Sequence, residues 1–251
     1  MVSIIMAAFN SARFLSEAID SVIAQSHEDW ELIVINDCSV DDTAEIIRDY
    51  AAADPRILLL ETISNQGAAA ARNLGVQAAR GDFIAFLDSD DIWIKNKLAV
   101  QMREMQMHRI PFSFTSYHVI TEGGAWIRSI RAPRVVSYAD LLKGCNVGFS
   151  TVVYNVEELG KCYFQLEPAI AREDYMMWLQ LSKRSMYLPF MRGIDVPLVK
   201  YRKHDGGVSA KKRGVAMSQW RVYREVEKLP IFYSFYCFIH YAVNGVKKHY
   251  F

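Results

Sequence analysis

The sequence predicts an α/β fold: a doubly wound mixed sheet flanked by helices, with a C-terminal amphipathic helical appendage. Three observations predict it. Over roughly the first hundred residues, short apolar runs without polar alternation take turns with segments of helical spacing, the pattern of parallel strands joined by right-handed crossovers. The run at 83–87 stops abruptly at Asp88, Ser89, Asp90 and Asp91, which sets carboxylates at a strand's carboxyl end, the edge where open α/β sheets bind ligands. The stretch 229–248 carries an apolar stripe at helical spacing after Pro230.

Taken in order, residues 2–8 read as the first strand, and Asn10 or Ser11 can cap a helix whose apolar positions include Leu15, Ile19 and Val22. A second apolar run at 30–36 ends at Asp37, and 43–50 has helical spacing through Ile46 and Ile47. A third strand is expected over 57–60. Ser64, Asn65, Gln66 and Gly67 then turn the chain into an alanine-rich helix over 69–79, closed by Gly81. Past a helix over 95–107 the pattern loosens. Strands are expected at 112–120, 126–130 and 151–155, separated by turn residues such as Gly123 and Gly124, and they extend the sheet with antiparallel partners. Helical spacing returns over 172–183, with Glu173 and Asp174 in its first turn. A strand at 196–201 leads into a polar loop at 202–207.

Composition excludes several classes. A net charge of +1 makes no demand for nucleic acid as a partner, although basic residues crowd the last fifth of the chain. Cys38, Cys145, Cys162 and Cys237 are scattered without a Cys-x-x-Cys pair, so neither a zinc site nor a redox motif is indicated, and reduced thiols in a cytosolic setting are expected. The opening apolar run ends at Asn10 with no basic region before it, so it reads as a strand and not as a secretion signal. Ala8-Phe9-Asn10-Ser11-Ala12-Arg13 contains no glycine. A dinucleotide fingerprint, a phosphate-binding Gly-Lys-Ser/Thr loop and the glycine-rich loop of a sugar-1-phosphate nucleotidyltransferase are therefore all absent after the first strand.

Several residues could carry chemistry. Asp88 and Asp90, separated by one small residue, can address one hard cation, which in turn could hold a diphosphate. The competing reading has Ser89, Asp90 and Asp91 capping the helix that follows, although three acids are more than a cap needs. Asp37 could accept the imide hydrogen of uracil or a ribose hydroxyl, whereas Asp41 suits helix capping. Phe9 either stacks on a base or joins the core. Arg72 either meets a phosphate or an acidic side chain, or lies on a solvated face.

Ser3-Ile4-Ile5-Met6-Ala7-Ala8-Phe9-Asn10, the phrase from Asp37 to Thr43, Asn65-Gln66-Gly67 with Arg72-Asn73, Asp88-Ser89-Asp90-Asp91-Ile92-Trp93, Glu173-Asp174 and Tyr201-Arg202-Lys203-His204 together resemble glycosyltransferase family 2, of the GT-A fold. The resemblance covers most of the chain in the right order. It implies a catalytic domain over 1–210, with a nucleotide-binding half at 1–100 and an acceptor-binding half at 101–210, followed by a helical region at 211–251. It implies an inverting sugar transfer, of hexosyl or N-acetylhexosaminyl type, from a nucleotide diphospho-sugar (UDP being the commonest) to a glycan or lipid-linked saccharide in bacterial-type surface polysaccharide synthesis. Ala8, Phe9, Asn10 and Asp37 would line the nucleoside pocket, with Arg72 and Asp88 helping to hold it. Asp90, in the DXD phrase, would ligate Mn2+ or Mg2+, with His204 at the metal or diphosphate, and Asp174 would be the catalytic base. Ala7 stands where the family often has proline, and Cys38 where glycine is common. A non-catalytic nucleotide-sugar or sugar-binding module, or a sugar-1-phosphate nucleotidyltransferase, is the competing reading. The first predicts loss of the base, yet Glu173-Asp174 is present.

In the C-terminal stretch Ile231, Phe235, Phe238, Ile239, Ala242 and Val246 share one helical stripe, with Ser234, Tyr241, Asn244 and Lys248 largely off it. The run is too short and too interrupted to span a bilayer. Two readings stand: a helix lying on an anionic membrane surface, which would make the protein peripheral on the inner face of the cytoplasmic membrane, or one packed on the catalytic domain or a second subunit.

Overall fold

The structure is a computed structural model that describes residues 1–167, 170, 172–184, 191–204 and 212–250. The strands β1 (Val2–Ala8), β2 (Trp30–Asn36), β3 (Ile57–Glu61) and β4 (Phe83–Phe86) run parallel in the spatial order β3-β2-β1-β4. They alternate with α1 (Ala12–Ile23), α2 (Thr43–Ala53) and α3 (Ala68–Ala78), and α4 (Lys97–His108) follows. β1 and β2 are buried on both faces, which is why their sequences show no polar alternation. Within β1, Val2, Ile4 and Met6 pack with Leu15 and Ile19 of α1 and Met102 of α4, while Ile5 points the other way, against Ala71 and Val76 of α3.

Two local expectations are revised. Ser11 occupies the N-cap of α1 but makes no side-chain cap bond, because Asp41 accepts the Ala12 N–H (3.1 Å) and Asn10 turns left-handed at φ 49°. α3 closes at Ala79, and Gly81 serves a different need. A Cβ there would lie 2.7 Å from both the Met1 carbonyl oxygen and the Ser3 nitrogen, so only glycine lets this loop pass against β1.

The second half adds β5 (Ile92–Trp93), β6 (Phe112–Ile120), β7 (Trp126–Ile130), β8 (Val135–Val136), β9 (Val153–Asn155) and β10 (Met191–Arg202), and the sheet continues past β4 as β9-β6-β10-β5. β9 is antiparallel to β4 and β6, β10 is parallel to β6, and β5 and β8 are antiparallel to β10. The expected strand at 151–155 begins instead as a 3-10 turn, Phe149–Thr151. β10 is twice as long as expected, since Pro197 is accommodated at a shift in its register with β6. The acids after β4 do not cap α4, whose N-cap is Asn96; β5 intervenes and ties the acidic turn to β10.

The remaining helices are α5 (Tyr138–Lys143), α6 (Val156–Leu159), α7 (Glu173–Arg184), α8 (Lys212–Arg221) and α9 (Ile231–Tyr250). Trp178 of α7 is fully buried against Phe86 and Phe112, with ring centroids 6.1 and 5.5 Å away, so the N-terminus of α7 is held by the core under β4. A π-helical turn, Val222–Val226, follows α8, and its Val222 and Tyr223 join Cys237 of α9 in the same core cluster. Positions 205–207 of the expected polar loop and the 210/211 boundary lie outside the described residues.

Candidate functional site

The acidic turn after β4 is the centre of the site. Asp88, Asp90 and Asp91 each offer an oxygen, all within 4.8 Å of one another, a hard donor set that could hold a divalent cation such as Mg2+ or Mn2+. Crowding like charges is unfavourable, and each acid has its own compensation. Arg72 on α3 donates to Asp88 (2.7 Å) while its guanidinium stacks 4.0 Å from the Phe149 ring. Asp91 is buried; it accepts from the Ser150 hydroxyl (2.6 Å) and from the Arg202 backbone N–H (2.9 Å). Asp90 lies 2.7 Å from Nε2 of His204, whose Nδ1 faces Glu122 at 3.2 Å. The buried Arg202 guanidinium closes the turn by donating to the Asp90 carbonyl (2.9 Å) and pairing with Glu17 (2.7 Å). Burial pushes the Asp88 carboxyl up to about 6, opposed by Arg72 and reinforced by the charges of Asp90 and Asp174. Burial, reinforced by the charges of Asp88 and Asp90, also raises Asp91 well above the carboxylate range.

A cavity of about 810 Å³ opens on one side of this turn, at the carboxyl ends of β1, β2 and β4. Ala8, Phe9, Asn10, Asp37, Arg72, Asp88, Asp90 and His204 all line it, so the structure brings every residue expected at the nucleotide and metal to one place. Phe9 is 49% exposed and stands at the rim, which removes the core reading. Asp37 is only 2% exposed and accepts from Thr62 Oγ1 (2.8 Å) and the backbone N–H groups of Gln66 (3.0 Å) and Gly67 (2.8 Å), so it fixes the loop that forms the cavity wall. Cys38 adopts φ 61°, a left-handed conformation that explains why glycine suits this position.

A second cavity, about 510 Å³, lies on the other side and is lined by Tyr117, Phe149, Tyr201, Arg172, Glu173 and Asp174, among others. Arg72, Asp88 and Glu173 border both cavities and form the wall between them. Glu173 faces Arg72 at 3.5 Å. Asp174 accepts the Tyr175 N–H (2.6 Å) on one oxygen, and its other oxygen has no partner among the described residues. Two neighbouring carboxylates thus differ in role: Glu173 is engaged with a cation, and Asp174 has an oxygen open to a ligand.

Sequence reasoning named Asp88, Asp90, Arg72, His204 and Asp174, and missed the framework that holds them. Asp91 was counted among the three acids but given no role of its own. Ser150, Glu122 and the guanidinium of Arg202 carried no signal beyond, for Arg202, its place in a family phrase.

Residues 3–155 match the family model described as Glycosyl transferase family 2. Over 249 residues the chain is 36% identical to the Escherichia coli UDP-Glc:α-D-GlcNAc-diphosphoundecaprenol β-1,3-glucosyltransferase WfgD, covering 99% of this chain and 95% of that one. It is also 36% identical to TuaG of Bacillus subtilis, a glycosyltransferase named for teichuronic acid biosynthesis, over 99% of this chain and 97% of that one. Among solved structures it is similar to S. aureus TarS 1–349 in complex with UDP-GlcNAc, at 19% identity and a TM-score of 0.71. That alignment covers 88% of this chain and 64% of the longer TarS chain. The likeness is one of fold.

The raised carboxyl of Asp88 has a measurable consequence. Its folded form keeps a proton to about pH 6, against about 3.9 for an unfolded aspartate, so between those values the folded state binds more protons and stability falls as pH rises. In metal-free buffer, Asp88→Asn should therefore lose stability less steeply than the wild type between pH 4 and about 6.5, whatever its offset in midpoint. Urea denaturation across that range checks this, and parallel pH profiles for the two proteins would contradict it.

Proposed function

This chain belongs to glycosyltransferase family 2, and from that membership and its site we propose an inverting, metal-dependent transfer of a sugar from a nucleotide diphospho-sugar to a hydroxyl of a lipid-linked saccharide. The observation that carries the reading is the pair of cavities meeting at one wall of Arg72, Asp88 and Glu173, with a carboxylate cluster on one side and the open oxygen of Asp174 on the other. Donor and acceptor each have a chamber, and the reacting atoms would meet at the wall. UDP is the nucleotide in the name of the relative WfgD, which supports a UDP-sugar here; the same name supports a lipid-linked acceptor, and that of TuaG supports a part in surface polysaccharide synthesis.

In the larger cavity, Phe9 offers a face for the base, and the loop held by Asp37 encloses the nucleoside. Asp90 and His204, with Asp88 beside them, would hold a divalent cation, which when bound supplies stabilisation of the negative charge on the departing diphosphate. Arg72 adds a fixed positive charge at the wall. On the other side Asp174 takes the proton of the acceptor hydroxyl. The hydroxyl oxygen forms the new bond to the anomeric carbon, and the bond to the diphosphate breaks with its electron pair leaving on the diphosphate. Attack from the face opposite the leaving group inverts the anomeric centre.

The outer face of α9 supports a location at the membrane surface. Ser234 and Cys237 are buried against the domain, while Phe232 (86% exposed), Ile239 (61%) and Val243 point away from it. Of the expected stripe, Phe235 and Phe238 touch Trp220, and Ile231, Ile239 and Ala242 are exposed. No helix among the described residues is long and apolar enough to cross a membrane. An apolar face with basic residues at its flanks suits the interface of an anionic bilayer.

Incubation with a panel of nucleotide sugars, Mn2+ and lipid-linked saccharides tests the reaction itself, with formation of an elongated lipid-linked product as the readout. Asp174→Asn should lower turnover by about a hundredfold or more while donor affinity stays nearly constant. An active Asp174→Asn beside an inactive Glu173→Gln would move the base to the neighbour. Chelation should abolish transfer, and added Mn2+ or Mg2+ should restore it in the wild type but not in Asp90→Ala; full activity in chelator would exclude the metal. For the membrane, the double substitution Phe232→Glu with Ile239→Glu should release the protein from anionic vesicles in flotation while leaving donor hydrolysis intact. Equal flotation of variant and wild type would remove the assignment.

A further inference from the structure

The smaller cavity has two arginines in its lining, and they are not in the same state. Arg72 is spent on Asp88 and Glu173. Arg172 makes no ion pair among the described residues: its side chain donates one hydrogen bond, to the Tyr241 hydroxyl (3.4 Å), and its guanidinium lies over the rings of Tyr175 (4.7 Å) and Tyr241 (5.8 Å). The charge of Asp174 in the same cavity favours this guanidinium, but no carboxylate oxygen lies within ion-pair distance of it among the described residues, which leaves most of its donor fork unfilled. An anion entering the cavity would complete it, and the planar donor fork of arginine suits phosphate oxygens.

The position of Arg172 identifies the anion. Tyr241 belongs to the buried side of α9, whose opposite side bears Phe232, Ile239 and Val243. From the outer face of α9 inwards, the order is therefore apolar surface, Arg172, then Asp174. A saccharide carried on a lipid diphosphate has the same order: lipid, diphosphate, sugar hydroxyl. Arg172 and Asp174 stand two residues apart in the chain and line the same cavity, so the groups they would hold are neighbours.

We propose that Arg172, held by Tyr241, binds the diphosphate of the acceptor, and that the acceptor hydroxyl belongs to the sugar bonded directly to that diphosphate. This rests on the lipid-linked acceptor of the proposed function. The enzyme then extends a lipid diphosphate carrying one sugar, so the reaction that supplies its substrate is transfer of a sugar phosphate onto a lipid phosphate. Tyr241 is a positioning residue, and it links the acceptor subsite to the helix assigned to the membrane surface.

Two measurements test this. In the first, binding of a short prenyl diphosphate and of the matching prenyl alcohol is compared in detergent with chelator present, so that no metal holds the diphosphate. The wild type should prefer the diphosphate by about tenfold or more, Arg172→Gln should bring the ratio near one, and Arg172→Lys should retain part of it. A wild type without preference, or Arg172→Gln with the full preference, overturns the subsite. In the second, transfer is compared between N-acetylglucosamine on a lipid diphosphate and the same sugar as a neutral alkyl glycoside. Equal KM values in the wild type overturn the subsite and leave the transferase reading standing. No transfer to any saccharide, alongside an Arg172-dependent preference in the binding assay, overturns the transferase reading and leaves the subsite.

Discussion

Three carboxylates on one turn at the end of a buried strand are the constraint on which the rest of this structure depends. Left alone, Asp88, Asp90 and Asp91 would repel one another and lose hydration with no return. The compensating groups come from four other parts of the chain: Arg72 on α3, Ser150 in the 3-10 turn before β9, Arg202 at the end of β10, and His204 just beyond it. Bringing them together requires that β10 pair with β5, immediately after the acids, and that β9 pair with β4, immediately before them. The mixed half of the sheet is thus the device that closes a charged turn made by the parallel half.

The same bracing holds carboxylates of two cavities side by side. Arg72 lies in the wall between the cavities and engages one acid from each side, Asp88 through a 2.7 Å hydrogen bond and Glu173 at 3.5 Å. Its guanidinium is fixed by stacking on Phe149, and Phe149 in turn packs on Phe86 (5.1 Å) and Trp178 (6.2 Å). The wall is therefore an extension of the aromatic core, and its rigidity comes from packing under the sheet. A preorganised charge costs no reorganisation at the moment of reaction, the condition under which fixed charges contribute most.

The parallel half was legible in the sequence because its signals are local. A strand buried on both faces is a short apolar run, and a crossover helix carries its own period, so β1, β2, α2 and β3 emerge within a few residues of their observed bounds. β5 and β8, two residues each, have no room for a period and exist only through pairing with β10. β10 was expected only from Val196, and its first half, residues 191–195, extends before the register shift at Pro197 through pairing with β6 and β8. The site divides in the same way. Residues whose chemistry shows in their own phrase, such as Asp88, Asp90 and Asp174, could be named. Residues whose part is only to brace a distant segment could not: the Arg202 guanidinium reaches Asp90 across 112 residues, and Ser150 reaches Asp91 across 59.

The C-terminal helix shows where periodicity runs out even when it is read correctly. A hydrophobic stripe says that a helix is two-sided, not which side meets the protein. Here the docked side is built on Ser234 and Cys237, small residues that let the α9 backbone approach the core, and Ser234 returns its hydroxyl to the carbonyls of Leu229 and Pro230 so that no polar atom is stranded. With Ser234 and Cys237 docked and Phe238 packed on Trp220, the helix turns Phe232, Ile239 and Val243 outward. In water that arrangement forfeits the roughly 25 cal/mol per Å² that burying those side chains would yield. The sequence of α9 is thus two-sided, and its inner side includes Tyr241, which holds Arg172 beside the smaller cavity.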